Sequence, residues 1–255
     1  MKISIVTPSY NSGSYIEETI QSIQNQTYTN IEHIIIDGNS ADRTIDIVKK
    51  YNNIHWISEP DTGQSNAINK GFKLATGDIL AWQNADDLYL PDTFKTVVEY
   101  FENNPDIDIV YGYYKLIDEK SRWICDVKPV RWSVWKFKHR RFVPLQPTVF
   151  WRRKVQEKVM PLDESLHYTM DVDFFAKAVI NHFRFELIPE YLGAFRVHKD
   201  SKTQNKNNES KVKKELLTVL SRNFNYTFLN KCIFHFFYYR ARIAGTIKQN
   251  ISLFS

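Results

Sequence analysis

The feature that most constrains this chain is an alternation in its first hundred residues, where short apolar runs, each ending in a polar or acidic cluster, are separated by helical patterns. Ile3, Ile5 and Val6 open a buried strand that runs into VTPSYN, Val6 to Asn11. Ile34, Ile35 and Ile36 form a second strand that ends at Asp37, and Ile54 to Ser58 a third, followed by Glu59 and Asp61. Ile79 to Trp82 is a fourth, running into Asn84, Asp86 and Asp87. Between them, Ser14 and Glu17 have capping-box spacing ahead of the helical repeat Ile16, Ile20 and Ile23. Asp42 to Tyr51 and Ser65 to Ala75 read as two further helices, the second stopped by Gly77. Phe94, Val97, Val98 and Phe101 mark another helix, and Ile107 to Tyr114 a fifth strand. The alternation predicts parallel βαβ units. Ligands of an open parallel sheet bind at the carboxyl ends of its strands, where this chain collects its acids and Tyr10.

The later residues are less regular. Phe174 to Ile180 reads as a helix opened by Asp171 and Asp173, and Ile188 to Val197 as a strand. Residues 199–214 hold six lysines and resemble a solvated linker, with a helical tail from about Lys214. Charge is segregated along the chain. The balance is −9 over residues 1–118, +9 over 119–158, −3 over 159–198 and +8 over 199–255, for a net +5. With 43% hydrophobic and 25% charged residues the chain has a globular composition. Two cysteines, Cys125 and Cys232, are too few for a disulfide framework or a thiolate metal site. The apolar run from Cys232 to Tyr239 falls well short of the ~20 residues of a spanning helix. A cytoplasmic chain is expected, with peripheral attachment to the cytoplasmic face of the inner membrane as an open alternative.

Two adjacent acids at a strand end, with Asn84 as a third acceptor, suit a hard divalent cation that keeps positions open for a diphosphate. The plainer alternative is a helix cap and a solvated turn before Pro91 and Asp92. Tyr10 could stack on a base, and Asp37, Glu59 and Asp61 could accept from ribose hydroxyls. Each of these residues has an ordinary turn or cap role as its alternative, but four clusters at one edge make a cleft.

The ordered segments VTPSYN, IIIDGNSADRT, SEPDTGQSNAINKG, TGDILAWQNADDLYLPD, LQPTVFWRR, LDESLHYTMDVDFF and FRVHKDS resemble the family 2 glycosyltransferases, an inverting family with the GT-A fold, over about residues 1–201. The resemblance implies an α/β, Rossmann-like and mostly parallel sheet flanked by helices, followed here by a C-terminal helical extension. It implies nucleobase contacts from Thr7 and Tyr10 and further nucleoside contacts from Asp37 and Asp61. Asn84–Ala85–Asp86 stands at the family's DXD position, so Asn84 and Asp86 would bind the nucleotide-sugar. A divalent cation, Mn²⁺ or Mg²⁺, would meet the donor diphosphate at Asp86 and Asp87. Asp171 matches the general base, and His198 a histidine that approaches the metal in some members. Asp173 is then left to satisfy the helix dipole, and a core or surface histidine is the alternative for His198. Three departures stand out: Gly38 in the place of a second acid, Asn84 in the place of the first DXD acid, and Met170 in the place of a glutamate before the base.

The basic block mixes Trp132, Trp135, Phe137, Arg140, Arg141, Phe142, Trp151 and Arg152. Such a mixture suits an acceptor border or an interfacial surface, with aromatic core packing under snorkelling cations as the alternative. Gln146 and Arg152 are candidate acceptor contacts. In the tail, apolar Phe228, Ile233, Phe236 and Ile243 stand among Lys231, Arg240 and Lys248. They suit an anionic membrane surface, or packing on the domain or a homodimer partner.

The expected organisation is a donor half over 1–118, an acceptor and catalytic half of the same domain over 119–200, and a basic linker with helical tail over 201–255. The expected activity is metal-dependent transfer of a hexosyl or N-acetylhexosaminyl group from a nucleotide-sugar, a UDP-sugar, to a glycan or polyprenyl-diphosphate-linked acceptor of a bacterial surface polysaccharide. Two other classes remain: a sugar-nucleotide pyrophosphorylase, whose glycine-rich Arg- and Lys-containing loop is absent from PSYNSGSY, and a non-enzymatic nucleotide-sugar or nucleic-acid binding module. Nucleic acid is not an expected partner of the enzyme.

Overall fold

The computed structural model describes residues 1–139, 142–199 and 208–224, together with 226, 227, 230, 232 and 233. Strands β1 (Ile3–Ser9), β2 (Ile31–Asp37), β3 (Ile54–Ser58) and β4 (Ile79–Trp82) are parallel and lie in the order β3-β2-β1-β4. The apolar runs of β1, β2 and β4 are buried on both faces, as parallel strands flanked by helices require, while β3 at the sheet edge buries only Ile54. Helices α1 (Ile16–Gln24), α2 (Thr44–Val48) and α3 (Gln64–Leu74) connect them, and α4 (Thr93–Asn103) follows.

The rest of the sheet is mixed. Beyond β4 it continues through β8 (Phe150–Arg152), β6 (Ile109–Ile117), β9 (Phe185–Arg196) and β5 (Leu88–Tyr89), while β7 (Trp123–Val127) pairs with β6. β8 runs antiparallel to β4 and β6, and β9 parallel to β6. Short elements complete the chain: α5 (Val134–Lys138), a one-turn 3₁₀ helix (Gln146–Thr148), α6 (Arg153–Val159), α7 (Met170–Ile180) and α8 (Glu209–Asn223). One sheet therefore joins residues of the first 118 to those of 119–200.

Most predicted elements form, with informative shifts. Ser14 caps nothing: α1 starts at Ile16, whose N–H donates to the Ser12 carbonyl. Gly77 is not a left-handed helix stop; a Cβ there would lie 2.5 Å from Ser4 Oγ, so the residue lets the α3–β4 turn close onto β1. α8 is the helical extension, and it is pinned to α7. Arg222 donates to Asp173, which is fully buried, and to Asp163, 2.7 Å away, while Glu215 accepts from the Tyr168 N–H at 2.9 Å. Asp173 is thus the structural acid, through an ion pair between helices.

Several aromatics of the basic block pack into the core, while its cations stay largely at the surface. Trp151 and Phe174 pack with Trp82, and Trp132 stacks on Phe185 at 4.0 Å. Phe137 and Trp151 are fully buried and offer no face to a partner, whereas Trp135 stays exposed. Arg140, Arg141 and the tail residues Phe228, Lys231, Phe236, Arg240, Ile243 and Lys248 lie outside the described residues, as do 200–207 of the linker. Among the described residues, no helix is long and apolar enough to cross a membrane.

Candidate active site

The carboxyl ends of β1, β2 and β4 converge at one edge, as the alternation predicts. β4 hands over at Trp82 to Gln83, whose N–H donates to the Val6 carbonyl, and the chain then turns through Asn84 to Asp87. In this turn neighbouring side chains part. Asp86 stays partly open and places Oδ2 2.9 Å from His198 Nε2. Asp87 is fully buried. Its Oδ1 accepts from the Arg196 N–H at 2.9 Å and its Oδ2 from Asn84 at 3.1 Å. Burial first, and the Asp86 charge second, push the Asp87 carboxyl well above the usual range. The assignment of Asp87 as a metal ligand is therefore corrected, because its carboxylate is spent anchoring the end of β9 beneath the site.

Arg196 is the functional residue that sequence reading missed. Its guanidinium is fully buried and fans out to four acceptors in three segments. It donates to the Asp86 carbonyl at 2.7 Å, to Ser121 Oγ at 2.7 Å, to Glu18 of α1 at 2.9 Å and to the Asp118 carbonyl at 3.4 Å. Tyr15 lies between it and the histidine, with Arg196 4.9 Å from the ring centroid and His198 4.9 Å centroid to centroid. A buried cation has to be paired, and here that requirement fixes the Asp86 turn, the β6–β7 turn and His198 to one another. An arginine within the apolar run of β9 was the available signal.

The nucleoside end is built differently from the expectation. Tyr10 is 67% exposed at the end of β1, open to a stacking partner. Asp37 is fully buried and accepts from the Ser40 N–H, Ser40 Oγ and Ser58 Oγ, all within 2.8 Å. Asp61 accepts from the Gly63 N–H at 2.8 Å, and its Oδ2 stands 2.7 Å from where a Cβ on Gly38 would be. Gly38, which takes the place of a second acid, is thus the gap that admits the Asp61 carboxylate beside Asp37. Thr7 points into the protein and pairs with His33 at 2.9 Å. Burial lowers the His33 pKa to about 3, which keeps the ring neutral. A base contact from the Thr7 side chain is corrected on that ground.

Asp171 sits in the first turn of α7, where its Oδ1 accepts from the Val172 N–H at 2.8 Å. Met170 beside it receives the Ser65 hydroxyl on its sulfur at 2.9 Å. The neighbouring Gln64 donates to Asn84 at 2.9 Å. The N-terminus of α3 thereby links the Asp171 turn to the Asn84–Asp87 turn.

Gln146 is buried with both side-chain amide atoms unpartnered, in a 3₁₀ turn that packs against β5, β6 and β9. Arg152 is elsewhere. It pairs with Ile79 at the amino end of β4 and donates to the carbonyls of Phe101, Asn104 and Ile107, closing the end of α4. As an acceptor contact Arg152 is corrected, since it occupies the opposite edge of the sheet.

Among the described residues no three His, Cys, Asp or Glu side chains cluster as a metal cage. The Asp86 oxygen and the His198 nitrogen nonetheless fit a divalent cation that takes its remaining ligands from a diphosphate and water, the mixed O,N donor set suiting Mn²⁺. An open cleft of about 330 Å³ lies next to them, lined by Asp118, Glu119, Val197, His198 and Lys199.

Comparison with known proteins agrees with this architecture. An uncharacterized glycosyltransferase of Methanocaldococcus jannaschii is 29% identical over 205 residues, 76% of this chain and 70% of the relative. One of Rickettsia typhi is 34% identical over 213 residues, 80% of this chain and 66% of the relative. The chain thus spans about two thirds of the length of these relatives. Among solved structures, S. aureus TarS 1–349 in complex with UDP-GlcNAc superposes with a TM-score of 0.70 at 20% identity, covering 88% of this chain and 66% of that one. A Pyrobaculum calidifontis mannosyltransferase in complex with GDP-Man and Mn²⁺ gives 0.67 at 17% identity, covering 92% and 68%. These likenesses show the expected GT-A fold. The profile described as Glycosyl transferase family 2 matches residues 4–152, more than half of the chain, and the chain belongs to that family.

Proposed function

We propose that the protein is a metal-dependent inverting glycosyltransferase that moves a sugar from a nucleotide-sugar, a UDP-sugar, to a hydroxyl of a glycan or polyprenyl-diphosphate-linked acceptor, as in bacterial surface-polysaccharide synthesis. The observation that carries the reading is the Asp86–His198 pair at 2.9 Å, at the sheet edge that also carries Tyr10, Asp37 and Asp61. The UDP and GDP-Man in the related structures support a nucleoside diphosphate as the leaving group.

In this reading Tyr10 stacks on the base and Asp61 takes the nucleoside, with the buried Asp37 supporting it from behind through Ser40 and Ser58. Asn84 and Asp86 face the diphosphate, and Asp86 and His198 hold a Mn²⁺ or Mg²⁺ ion. When bound, that ion offsets the charge of the departing diphosphate. Asp171 takes the proton of the acceptor hydroxyl as its oxygen bonds to the anomeric carbon. The carbon–oxygen bond to the nucleoside diphosphate breaks on the opposite face, inverting the centre. A placed base contributes roughly 10²–10⁴ in rate. Gln146, buried with unpartnered amide atoms, is retained as an acceptor contact.

The test is hydrolysis and transfer with a panel of nucleotide-sugars in Mn²⁺, Mg²⁺ or EDTA. Activity with a UDP-sugar that EDTA abolishes is expected, and activity with no donor overturns the reading. Asp171→Asn should keep donor binding and lose transfer by at least about 10²-fold; loss of binding would show that Asp171 serves the donor instead.

A further inference from the structure

Among the described residues, seven large apolar side chains are exposed, and five of them fall within one short segment: Trp123, Ile124, Val130, Val134 and Trp135. Trp123 is 64% exposed and Trp135 47%. The first two stand on β7, which pairs with β6, and the last two on α5. Their neighbours Trp132 and Phe137 are turned inward, against Phe185 and Phe224, so the exposed set is what remains once the core is packed. The same stretch, 120–138, carries six basic residues and one acid. Lys120, Arg122, Lys128 and Arg131 are exposed. The single acid, Asp126, accepts from the Trp123 indole N–H at 2.9 Å.

We propose that β7 and α5 form a docking surface for an anionic lipid bilayer. Tryptophans beside aliphatics and long-stemmed cations are the composition of a membrane interface. Each cation near an anionic headgroup layer strengthens binding by roughly fivefold. Charge chooses among occupants. A second copy of this chain would set the positive face against itself. The chain's own residues 228–248 bring Lys231, Arg240, Arg242 and Lys248, and so the same sign. RNA would match the charge, but it stacks on aromatic faces, and Ile124, Val130 and Val134 offer none.

The surface begins beside the catalytic edge. Trp123 is in register with Ile117 of β6, and the turn between them is held by Arg196, two residues before His198. An acceptor anchored in the bilayer would therefore arrive at the cleft beside His198. Only that use rests on the proposed function; lipid binding itself stands apart from it.

The test is co-sedimentation of the full chain with phosphatidylcholine vesicles with and without phosphatidylglycerol, together with quenching of tryptophan emission by brominated lipid. Binding is expected only with phosphatidylglycerol, released by salt and quenched by the brominated chains. Trp123→Ser with Ile124→Ser, or Trp135→Ser, should weaken it by roughly tenfold, and Lys128→Glu with Arg131→Glu by more. Phe236→Ser with Phe237→Ser, in the tail, should leave most of it. Circular dichroism and hydrolysis of a soluble donor should be unchanged in the surface variants, which separates this proposal from the assignment of the reaction. No vesicle binding, binding that only the tail variant removes, self-association that Trp135→Ser abolishes, or salt-sensitive RNA binding in place of lipid would each overturn it.

Discussion

His198 Nε2 lies 2.9 Å from Asp86 Oδ2, although 112 positions separate the two residues. The contact brings an imidazole to a carboxylate at the mouth of the nucleotide edge, and neither side chain alone makes a cation site. Removing either should therefore act on metal use before it acts on folding. Asp86→Asn and His198→Ala are each expected to raise the Mn²⁺ concentration for half-activation by at least about 10–100-fold, the loss typical even of outer metal partners. Mn²⁺ electron paramagnetic resonance titration with UDP present checks the affinity without turnover. Asp87→Asn should leave the metal requirement near that of the parent, because the Asp87 carboxylate faces the Arg196 N–H and Asn84. Equal loss of Mn²⁺ affinity in Asp87→Asn would restore Asp87 to the metal.

Arg196 reaches Asp86, Ser121 and Glu18 from a fully buried position, so it holds the Asp86 turn at a set distance from His198. Charged hydrogen bonds of this kind contribute roughly 1.5–3 kcal/mol each. Glu18 is half exposed and recovers water when its partner leaves. Arg196→Met should then cost about 2–4 kcal/mol of stability in urea denaturation. Arg196→Lys should cost nearly as much, since an ammonium cannot span the fork. A purely structural arginine would lower stability and leave the Mn²⁺ half-activation of the remaining folded enzyme unchanged. A positioning arginine raises that value as well, and this second readout decides the role.

The donor edge was legible because its signals are local: an apolar run ending in an acid or a tyrosine marks both a strand and the edge at which it stops. β3 and β4 form over the residues their patterns predict. The antiparallel β5 and β8, of two and three residues, carry no period long enough to read. Asp86 and Asp87 show the limit most clearly. Adjacent side chains of a turning chain point to different sides, so a DD pair cannot show which member lies open at the edge, and it is the arrival of β9 that buries Asp87 and leaves Asp86 partly open. Arg152 illustrates the same problem at longer range. Its strand runs against β4, and a reversed strand delivers the end of a motif to the wrong edge of the sheet. Arg196 was missed because its partners come from α1, the Asp86 turn and the β6–β7 turn, and nothing in β9 itself announces them.

Acid should loosen the sheet at its amino edge, through Glu32. Burial alone would raise the Glu32 pKa, but hydrogen bonds from Lys2, Ser4 and Thr76 outweigh it and hold the group at about 2, against an ordinary 4.5. The carboxylate joins β1, β2 and the end of α3 through Lys2 Nζ at 2.7 Å, the Ser4 hydroxyl and Thr76 Oγ1 at 2.9 Å. The folded state therefore binds this proton less readily than the unfolded chain, so stability rises with pH across the interval. The contribution is fully present above pH 4.5 and is lost as pH falls from 4.5 toward 2. Urea denaturation midpoints measured over that window should fall for the parent. In Glu32→Gln, which has no carboxylate to protonate there, the fall should be shallower by about one proton's worth of linkage, and the protein should be less stable at neutral pH. Identical acid slopes in the two proteins would mean that Glu32 is as easily protonated folded as unfolded, and that the Lys2–Glu32–Thr76 contacts do not hold in solution.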